Sequence, residues 1–209
     1  MTIIESMQWR YATKKFDSSK SLTEQQLQLL KEAFNLTAIS YGLQTLKLIV
    51  IEDKDKREAL VQHSFGQRQV VDASHLLVLC VQNDINDKDV ESHFNNVVSI
   101  RNTPETVIAP FKSQLKDTIE HMSQERKLSW ATNQAYIALG NLMTVCAVEK
   151  IDSCPMEGFD SETYDDVLGL RALGLKSVLL LPVGFRAEDD MFADFKKVRK
   201  PISETVIDL

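Results

Sequence analysis

Two short stretches of this chain are apolar at almost every position, and they constrain the fold more than any other feature. They are His75–Val81 (HLLVLCV) and Ser177–Gly184 (SVLLLPVG). Because a strand with one face in water alternates apolar and polar residues, such runs indicate strands in a sheet that helices cover on both faces. The β-branched run Lys47–Ile51 predicts a third strand. Strand patterns are few and helical patterns separate them, so we predict a single α+β domain over residues 1–209, with three layers and a small central sheet.

Helical periodicity fills much of the remaining sequence. Ser21-Leu22-Thr23-Glu24 matches a capping box, and apolar residues such as Leu30 and Phe34 follow at spacings of three and four. This pattern predicts an amphipathic helix, and a second helix is predicted over Lys54–His63. Residues 37–45 are interpreted as a loop, because Gly42 breaks both periodicities.

The segment between Asn83 and Lys127 is polar and charged, with Pro104 and Pro110 as helix breakers. We expect helices here with a mobile link between them. Such a segment often covers an active site. A surface excursion without a catalytic role explains the same pattern.

The segment Trp130–Val148 is long, rich in small residues and apolar almost all round. A surface helix would be amphipathic, so this helix is predicted to be buried inside the subunit, at a subunit interface, or both. Ala135, Ala138 and Gly140 permit another helix to approach closely, which fits the core of a dimer.

The charge balance and the cysteines restrict the function classes. The chain has 24 Lys and Arg against 30 Asp and Glu, a formal net charge of −6. It therefore lacks the overall positive field that nucleic acid or an anionic membrane would attract, and a phosphate site must be a local basic cluster. No apolar run approaches the roughly 20 residues that span a bilayer, and the N-terminal residues show no signal-peptide pattern. Cys80, Cys146 and Cys154 have no CxxC spacing, which favours reduced thiols in the cytoplasm, with the first two in the core.

Several kinds of catalytic site are not indicated. The four histidines have no metal-ligand spacing, and His75, at the start of a buried strand, is interpreted as a structural residue. We therefore expect no metal site. The sequence contains no Gly-x-Ser-x-Gly elbow, P-loop or Rossmann glycine pattern, so any use of nicotinamide must occur without a Rossmann domain.

Two basic clusters lie near the chain ends, Arg10–Lys15 (RYATKK) and Lys196–Lys200 (KKVRK). They either bind one phosphate together through charge-assisted hydrogen bonds or form ordinary solvated faces. The segment Cys154–Phe159 (CPMEGF) follows the long helix. Its Pro155 fixes φ and its Gly158 lets a flat ligand approach the backbone, although an ordinary loop has the same composition.

Five motifs occur in order along the chain and carry a resemblance. They are Arg10-x-x-Thr13-Lys14-x-Phe16, Ser40-Tyr41-Gly42-Leu43-Gln44, Asp72-Ala73-Ser74-His75, Pro155-Met156-Glu157-Gly158-Phe159 and Lys197-Val198-Arg199-x-Pro201. With these motifs the chain resembles the FMN-dependent nitroreductase family, close to its oxygen-insensitive nitroreductase and dihydropteridine reductase branch, over nearly its whole length. The resemblance implies a three-layer sandwich with a mainly antiparallel sheet. It also implies a homodimer with a large helical interface that includes the long helix. Two FMN sites are expected to lie across that interface.

The resemblance also implies roles for particular residues. Arg10, Lys197 and Arg199 are expected on the FMN phosphate. Lys14 is expected beside the N1 and C2-carbonyl edge of the flavin and Gly158 with its N–H aimed at N5, which makes these two the expected catalytic residues. Ser40 and Gln134 are expected to reach the cofactor of the partner subunit. The other expected FMN contacts are Tyr11, Ala12, Ile39, Gly42, Gln69, Pro155, Met156 and Glu157.

The function that the resemblance implies is NADH or NADPH oxidation by ping-pong hydride transfer through flavin N5, with nitroaromatics, quinones or pterins as acceptors. Another flavin chemistry, such as dehalogenation or heterocycle dehydrogenation, and a non-enzymatic flavin-binding role are the alternatives. Ala12 stands where many members have a hydroxyl residue. Ile39, Gly42 and Gln69 replace a Ser, an Asn and a Lys of the best-known branch, and Thr45-Leu46 replaces Pro-Trp. We therefore expect FMN binding, whereas the sequence does not specify the acceptor or the choice between NADH and NADPH.

Overall fold

A computed structural model describes residues 1–209 and has an α+β architecture, as predicted. The helices are α1 Ile3–Trp9, α2 Glu24–Asn35, α3 Lys54–Leu60, α4 Gln69–Asp72, α5 Asp87–Arg101, α6 Glu105–Glu120, α7 Gln124–Val148, α8 Ser161–Val167 and α9 Ile202–Thr205. The strands are β1 Leu46–Ile51, β2 His75–Gln82, β3 Asp152–Ser153 and β4 Leu175–Gly184. The three strands predicted from the sequence are β1, β2 and β4.

The four strands form one antiparallel sheet in the order β1-β2-β4-β3. The two runs that are apolar on both faces are the central strands, and Leu77 of β2 lies opposite Val50 of β1 and Leu181 of β4. The edge strand β3 was not predicted, because two residues are too few to show a periodicity.

Alternate residues of β2 enter two separate cores, one on each face of the sheet. Leu77 and Leu79 pack in a core with α2, α5, α6 and α7. Leu76 and Val78 pack on the other face with α3, α4 and α8. Each of these side chains stabilises the fold by roughly 1.5–3 kcal/mol through its removal from water. The arrangement is the predicted α/β/α sandwich.

The capping box of α2 lies two residues later than the sequence pattern indicated. The helix is capped by Thr23, whose Oγ1 accepts from the N–H of Gln26 at 3.2 Å while the Gln26 side chain accepts from the N–H of Thr23 at 3.0 Å. The buried Leu22 donates its N–H to Ser74 Oγ at 2.8 Å, which holds the preceding chain against the sheet. The helix therefore starts at Glu24 rather than beside Ser21.

Two other helical predictions also need correction. The first concerns α3, which ends at Leu60, three residues before the predicted end, and is followed by a 3₁₀ turn. The second concerns Pro110, which lies inside α6 and does not end that helix. The prediction of helices between Asn83 and Lys127 is confirmed by α5 and α6, which residues 102–104 join; the mobility of this link stays a prediction.

The long predicted helix is α7, and the sheet covers only part of it. Ala131, Ala135, Ala138 and Leu142 are fully buried. The opposite side forms an exposed stripe in the single chain, and its exposed members include Asn133, Tyr136, Ile137 and Val148. No helix of the structure has both the length and the apolar character needed to cross a membrane.

Candidate functional site

The two basic clusters meet, although they lie at opposite ends of the chain. The Lys197 ammonium donates a hydrogen bond to the backbone carbonyl of Arg10. Arg199 lies close enough that its charge acts on both of these residues. The structure thus brings together the three cations that the resemblance assigns to a phosphate.

This cluster has a surplus of positive charge and no anionic partner. Burial and the neighbouring Arg199 lower the pKa of Arg10, and burial, Arg10 and Arg199 lower the pKa of Lys197. No carboxylate forms an ion pair with any of the three. The Nε of Arg10 is buried and has no hydrogen-bond partner. Because an unused buried donor is costly, these residues fit a bound phosphate.

The loop that follows Arg10 lies along the edge of the sheet. Ala12 forms a parallel bridge with Ser153 of β3, and the N–H of Thr13 donates to the Ser153 carbonyl at 3.3 Å. Thr13 is buried, whereas the side chain of Lys14 is exposed and has no hydrogen-bond or ion-pair partner. The loop therefore presents one free cation beside β3.

Arg186 links this loop to β3 through contacts with Asp152 and with two aromatic rings. Its Nε donates to Asp152 Oδ1 at 2.8 Å, and its backbone N–H donates to Asp152 Oδ2 at 2.8 Å. Its guanidinium lies between two aromatic rings, 4.3 Å from the centre of Trp9 and 4.6 Å from that of Tyr11. Cation–π contacts of this kind contribute roughly 0.5–2 kcal/mol each, so the Tyr11 ring is held in place.

The Pro155–Gly158 segment continues directly from β3. Met156 exchanges two backbone hydrogen bonds with Leu180 of β4, at 2.9 and 3.0 Å, so the segment starts as an extension of the sheet. Glu157 accepts a hydrogen bond from the Tyr136 hydroxyl of α7 at 2.7 Å. The segment thus starts as regular structure, on the same edge of the sheet as the Arg10–Lys15 loop.

Two residues beside Gly158 were missed by the sequence analysis. Gln67 donates its Nε2 to the Gly158 carbonyl at 2.9 Å. A Cβ at Gly158 would lie 3.2 Å from Gln67 Nε2 and 3.7 Å from the Phe65 ring. A residue with a side chain would therefore press against Gln67, whereas glycine does not. Phe65 is exposed and has a left-handed backbone, φ 53°. Gln69, the predicted contact in this region, begins α4, and its side chain makes no hydrogen bond to another predicted site residue.

The remaining predicted residues form a second group. The Ser40 N–H donates to the side-chain carbonyl of the buried Gln134 at 3.1 Å. Ile39 precedes this turn, and Gly42 within it has φ 72° and faces His93, whose Cε1 would be 2.8 Å from a Cβ at that position. Glycine adopts this left-handed conformation without strain, and a side chain here would also require His93 to move. No hydrogen bond within the chain links this group to Lys14 or Gly158.

Neither Lys14 nor Gly158 lines any of four pockets of the single chain that have volumes of about 350–570 Å³. The predictions that His75 is structural and that Cys80 and Cys146 lie in the core are confirmed: His75 is buried and hydrogen-bonded to Ser74 Oγ at 2.8 Å, and both thiols are buried. Cys154 is buried as well.

Comparison with known proteins gives consistent matches. Residues 7–185 match the model of the nitroreductase family. A Staphylococcus haemolyticus protein provisionally named NAD(P)H nitroreductase is 30% identical in an alignment of 215 positions, which covers 98% of this chain and 96% of the relative. A Bacillus subtilis structure provisionally described as a nitroreductase has a TM-score of 0.88 at 21% identity and covers 99% of this chain and 98% of that one. An Exiguobacterium sibiricum structure with the same provisional description, solved in complex with FMN, has a TM-score of 0.84 at 17% identity and covers 99% and 97%.

Proposed function

The chain belongs to the nitroreductase family and is an oxidoreductase, and from that premise we propose that it is an FMN-dependent NAD(P)H oxidoreductase that works as a homodimer. The observation that carries the proposal is the unpaired cluster of Arg10, Lys197 and Arg199, with the buried, unused Nε of Arg10. These three residues would hold the FMN phosphate. The FMN bound in the related Exiguobacterium structure supports the same choice of cofactor.

FMN would supply the hydride-transfer chemistry, while the protein supplies placement and charge. Lys14 offers a free positive charge on an anchored loop, which suits the N1 edge of the flavin, where negative charge develops. Gly158 has no side chain of its own, which would let a flat ring approach its backbone N–H. Pro155, Met156 and Glu157 would line the same face, with Tyr11, Ala12 and Gln69 as further contacts.

A second copy of the chain would complete the site. The exposed stripe of α7 includes Ile137, which is 53% exposed, and Gly140, where a Cβ would meet open space. The C-terminal segment also exposes apolar side chains, namely Val198, Ile202, Val206, Ile207 and Leu209. Obligate interfaces often bury more than about 2,000 Å² and resemble a cut core. Ser40, Gln134, Ile39 and Gly42 would then contact the FMN of the partner subunit.

The proposal includes NADH or NADPH as the electron donor and a nitroaromatic, quinone or pterin as the acceptor. It also places residues 1–209 in one domain, because both cores share one sheet. Free, buried cysteines suit a reducing compartment, and the proposed location is the cytoplasm.

The test is reconstitution followed by turnover. Protein incubated with FMN and then desalted should retain FMN and oxidise NADH or NADPH when a quinone is added. FMN that is retained without any oxidation of either nucleotide would favour another flavin chemistry or a non-enzymatic flavin-binding role. Protein that retains no FMN would contradict the proposal as a whole.

A further inference from the structure

Asp190 is a buried carboxylate that joins the two ends of the chain at the proposed flavin site. It is 4% exposed and lies in the turn after β4. Its Oδ2 accepts from the Tyr11 hydroxyl at 2.7 Å and from the backbone N–H groups of Lys14 and Lys15 at 2.9 and 3.0 Å. Its Oδ1 accepts from the N–H of Phe192 at 3.1 Å. One side chain thus fixes the loop that carries Lys14 and the start of the segment that carries Lys197 and Arg199.

The four donors keep this carboxylate ionised although it is buried. Burial by itself would raise the pKa of Asp190, but the hydrogen bonds from Tyr11, Lys15, Lys14 and Phe192 outweigh it, and the pKa lies below its ordinary value. Hydrogen bonds to an ionised acceptor are roughly twice as strong as neutral ones. The side chain is therefore a firm anchor at neutral pH.

Asp190 is the sole hydrogen-bond partner of the Lys14 backbone. The neighbouring residues have other ties: Thr13 donates to Ser153, and the Lys15 carbonyl accepts from the N–H of Ala187 at 2.9 Å. The backbone of Lys14 has only the bond to Asp190, and its side chain has no partner. The position of the Lys14 ammonium consequently depends on this one carboxylate more than on any other group.

We propose that Asp190 is a positioning residue for electron transfer, which holds the Lys14 backbone so that the ammonium group stays at the N1 edge of the flavin. This role rests on the proposed function. The sign of its effect on the redox potential is diagnostic. Removal of a nearby negative charge alone would make the flavin easier to reduce and raise its potential. Release of Lys14 withdraws a positive charge from N1 and lowers the redox potential of the flavin.

Asp190→Asn removes the charge and keeps the size of the side chain. The matched control is Asp189→Asn, which removes the neighbouring, exposed carboxylate that pairs with the Lys15 ammonium. In the flavin-free protein, amide hydrogen exchange at Lys14 and Lys15 should be roughly tenfold faster or more in Asp190→Asn, as expected for one lost charge-assisted bond, and unchanged in the control. In the FMN-loaded protein, Asp190→Asn should lower the two-electron potential. In a Lys14→Met background the same substitution should cause no further fall of the potential, because only the direct loss of the negative charge remains, and that raises it.

Unchanged exchange at both amides would overturn the proposal, as would a raised or unchanged potential, or an equal shift in the Lys14→Met background. If Asp190→Asn does not fold, Tyr11→Phe removes one of the four donors, and a smaller shift in the same directions is expected; no shift would count against the proposal. The exchange measurement tests, in the flavin-free protein, whether Asp190 holds the backbone of Lys14 and Lys15. A wild-type protein that binds no FMN would instead overturn the proposed function, and with it the role of Asp190 in electron transfer.

Discussion

The side-chain ammonium of Lys197 donates to the backbone carbonyl of Arg10, a residue 187 positions earlier in the chain. This contact brings the two ends of the chain together at one edge of the sheet. Arg10, Lys197 and Arg199 then lie close to one another with no carboxylate paired to them. Such a cluster repels itself until an anion binds. A phosphate at this point would join both chain ends, so cofactor affinity and the order of the C-terminal segment should be linked.

Replacement of Arg199 tests the phosphate site. Arg199→Ala should weaken FMN binding by roughly 1.5–3 kcal/mol, the contribution of one hydrogen bond to a charged group. Riboflavin has no phosphate, so its affinity should change little. Fluorescence titration with both flavins measures the two effects. Lys200→Ala removes the next exposed cation and serves as the control. An Arg199→Ala protein that prefers FMN over riboflavin as strongly as wild type would remove Arg199 from the site.

Lys14 is predicted to set the redox potential of the bound flavin. Lys14→Met keeps most of the side-chain volume and removes the charge, so the two-electron potential should fall and reduction by NAD(P)H should slow. Anaerobic stopped-flow and a potentiometric titration measure both quantities. The control is Lys15→Met, whose wild-type side chain pairs with Asp189. Equal behaviour of the two variants would mean that Lys14 is an ordinary surface lysine.

The exposed stripe of α7 is predicted to be the dimer interface. Wild-type protein should have about twice the chain mass of 23.7 kDa in light scattering. Ile137→Asp places a charge on the stripe and should give a monomer that binds FMN weakly, because a buried, unpaired charge is costly. Leu173→Asp changes a similarly exposed residue outside the stripe, in the turn before β4, and should leave the mass unchanged. A wild-type protein with the mass of one chain, active with FMN, would rule out this interface.

Alkaline pH should destabilise the fold through its buried thiols. Burial raises the pKa of Cys80 to about 12, against 9.0 for an ordinary cysteine. Above pH 9 the unfolded chain loses this proton while the folded chain keeps it, so stability is full below pH 9 and falls as the pH rises towards 12. The slope is about 1.4 kcal/mol per pH unit for each such group.

Urea unfolding at several pH values between 8 and about 11 tests this effect, and Cys80→Ala should make the decline shallower. Val78→Ala is the matched control, since Val78 is equally buried in the same core and does not titrate. It should lower stability at every pH without a change in slope. If the free energy of unfolding falls with pH equally steeply in both variants, the Cys80 thiol is not the cause of the alkaline effect.

The layers could be predicted from the sequence because a strand that is buried on both faces has apolar residues at nearly every position. β2 and β4 are apolar at nearly every position, and their alternate side chains enter two cores. β3 shows no such pattern, since it consists of two residues, Asp152 and Ser153, that pair with Gly184 and Val183 of β4. The cap of α2 was misplaced for a different reason: Ser21 with Glu24 and Thr23 with Gln26 both match a capping box, and the structure forms the second.

The site shows the same division between local and distant information. The basic clusters were visible in the sequence, but the contact of Lys197 with Arg10 depends on the whole fold. Gln67 and Asp190 were missed because a single Gln or Asp carries no pattern, and their importance comes from bonds to Gly158 and Lys14. Phe65-Gly66 did offer a weak signal of a turn, which gave no indication of its proximity to Gly158.

Anaerobic titration of the FMN-loaded protein with NADH and with NADPH is the most direct test of the account. The flavin absorbance should bleach in full with about one equivalent of at least one of the two nucleotides, because one hydride carries both electrons. Addition of a quinone should then restore it. Flavin that stays oxidised in the presence of excess NADH and excess NADPH would contradict the proposal that this protein is an NAD(P)H oxidoreductase.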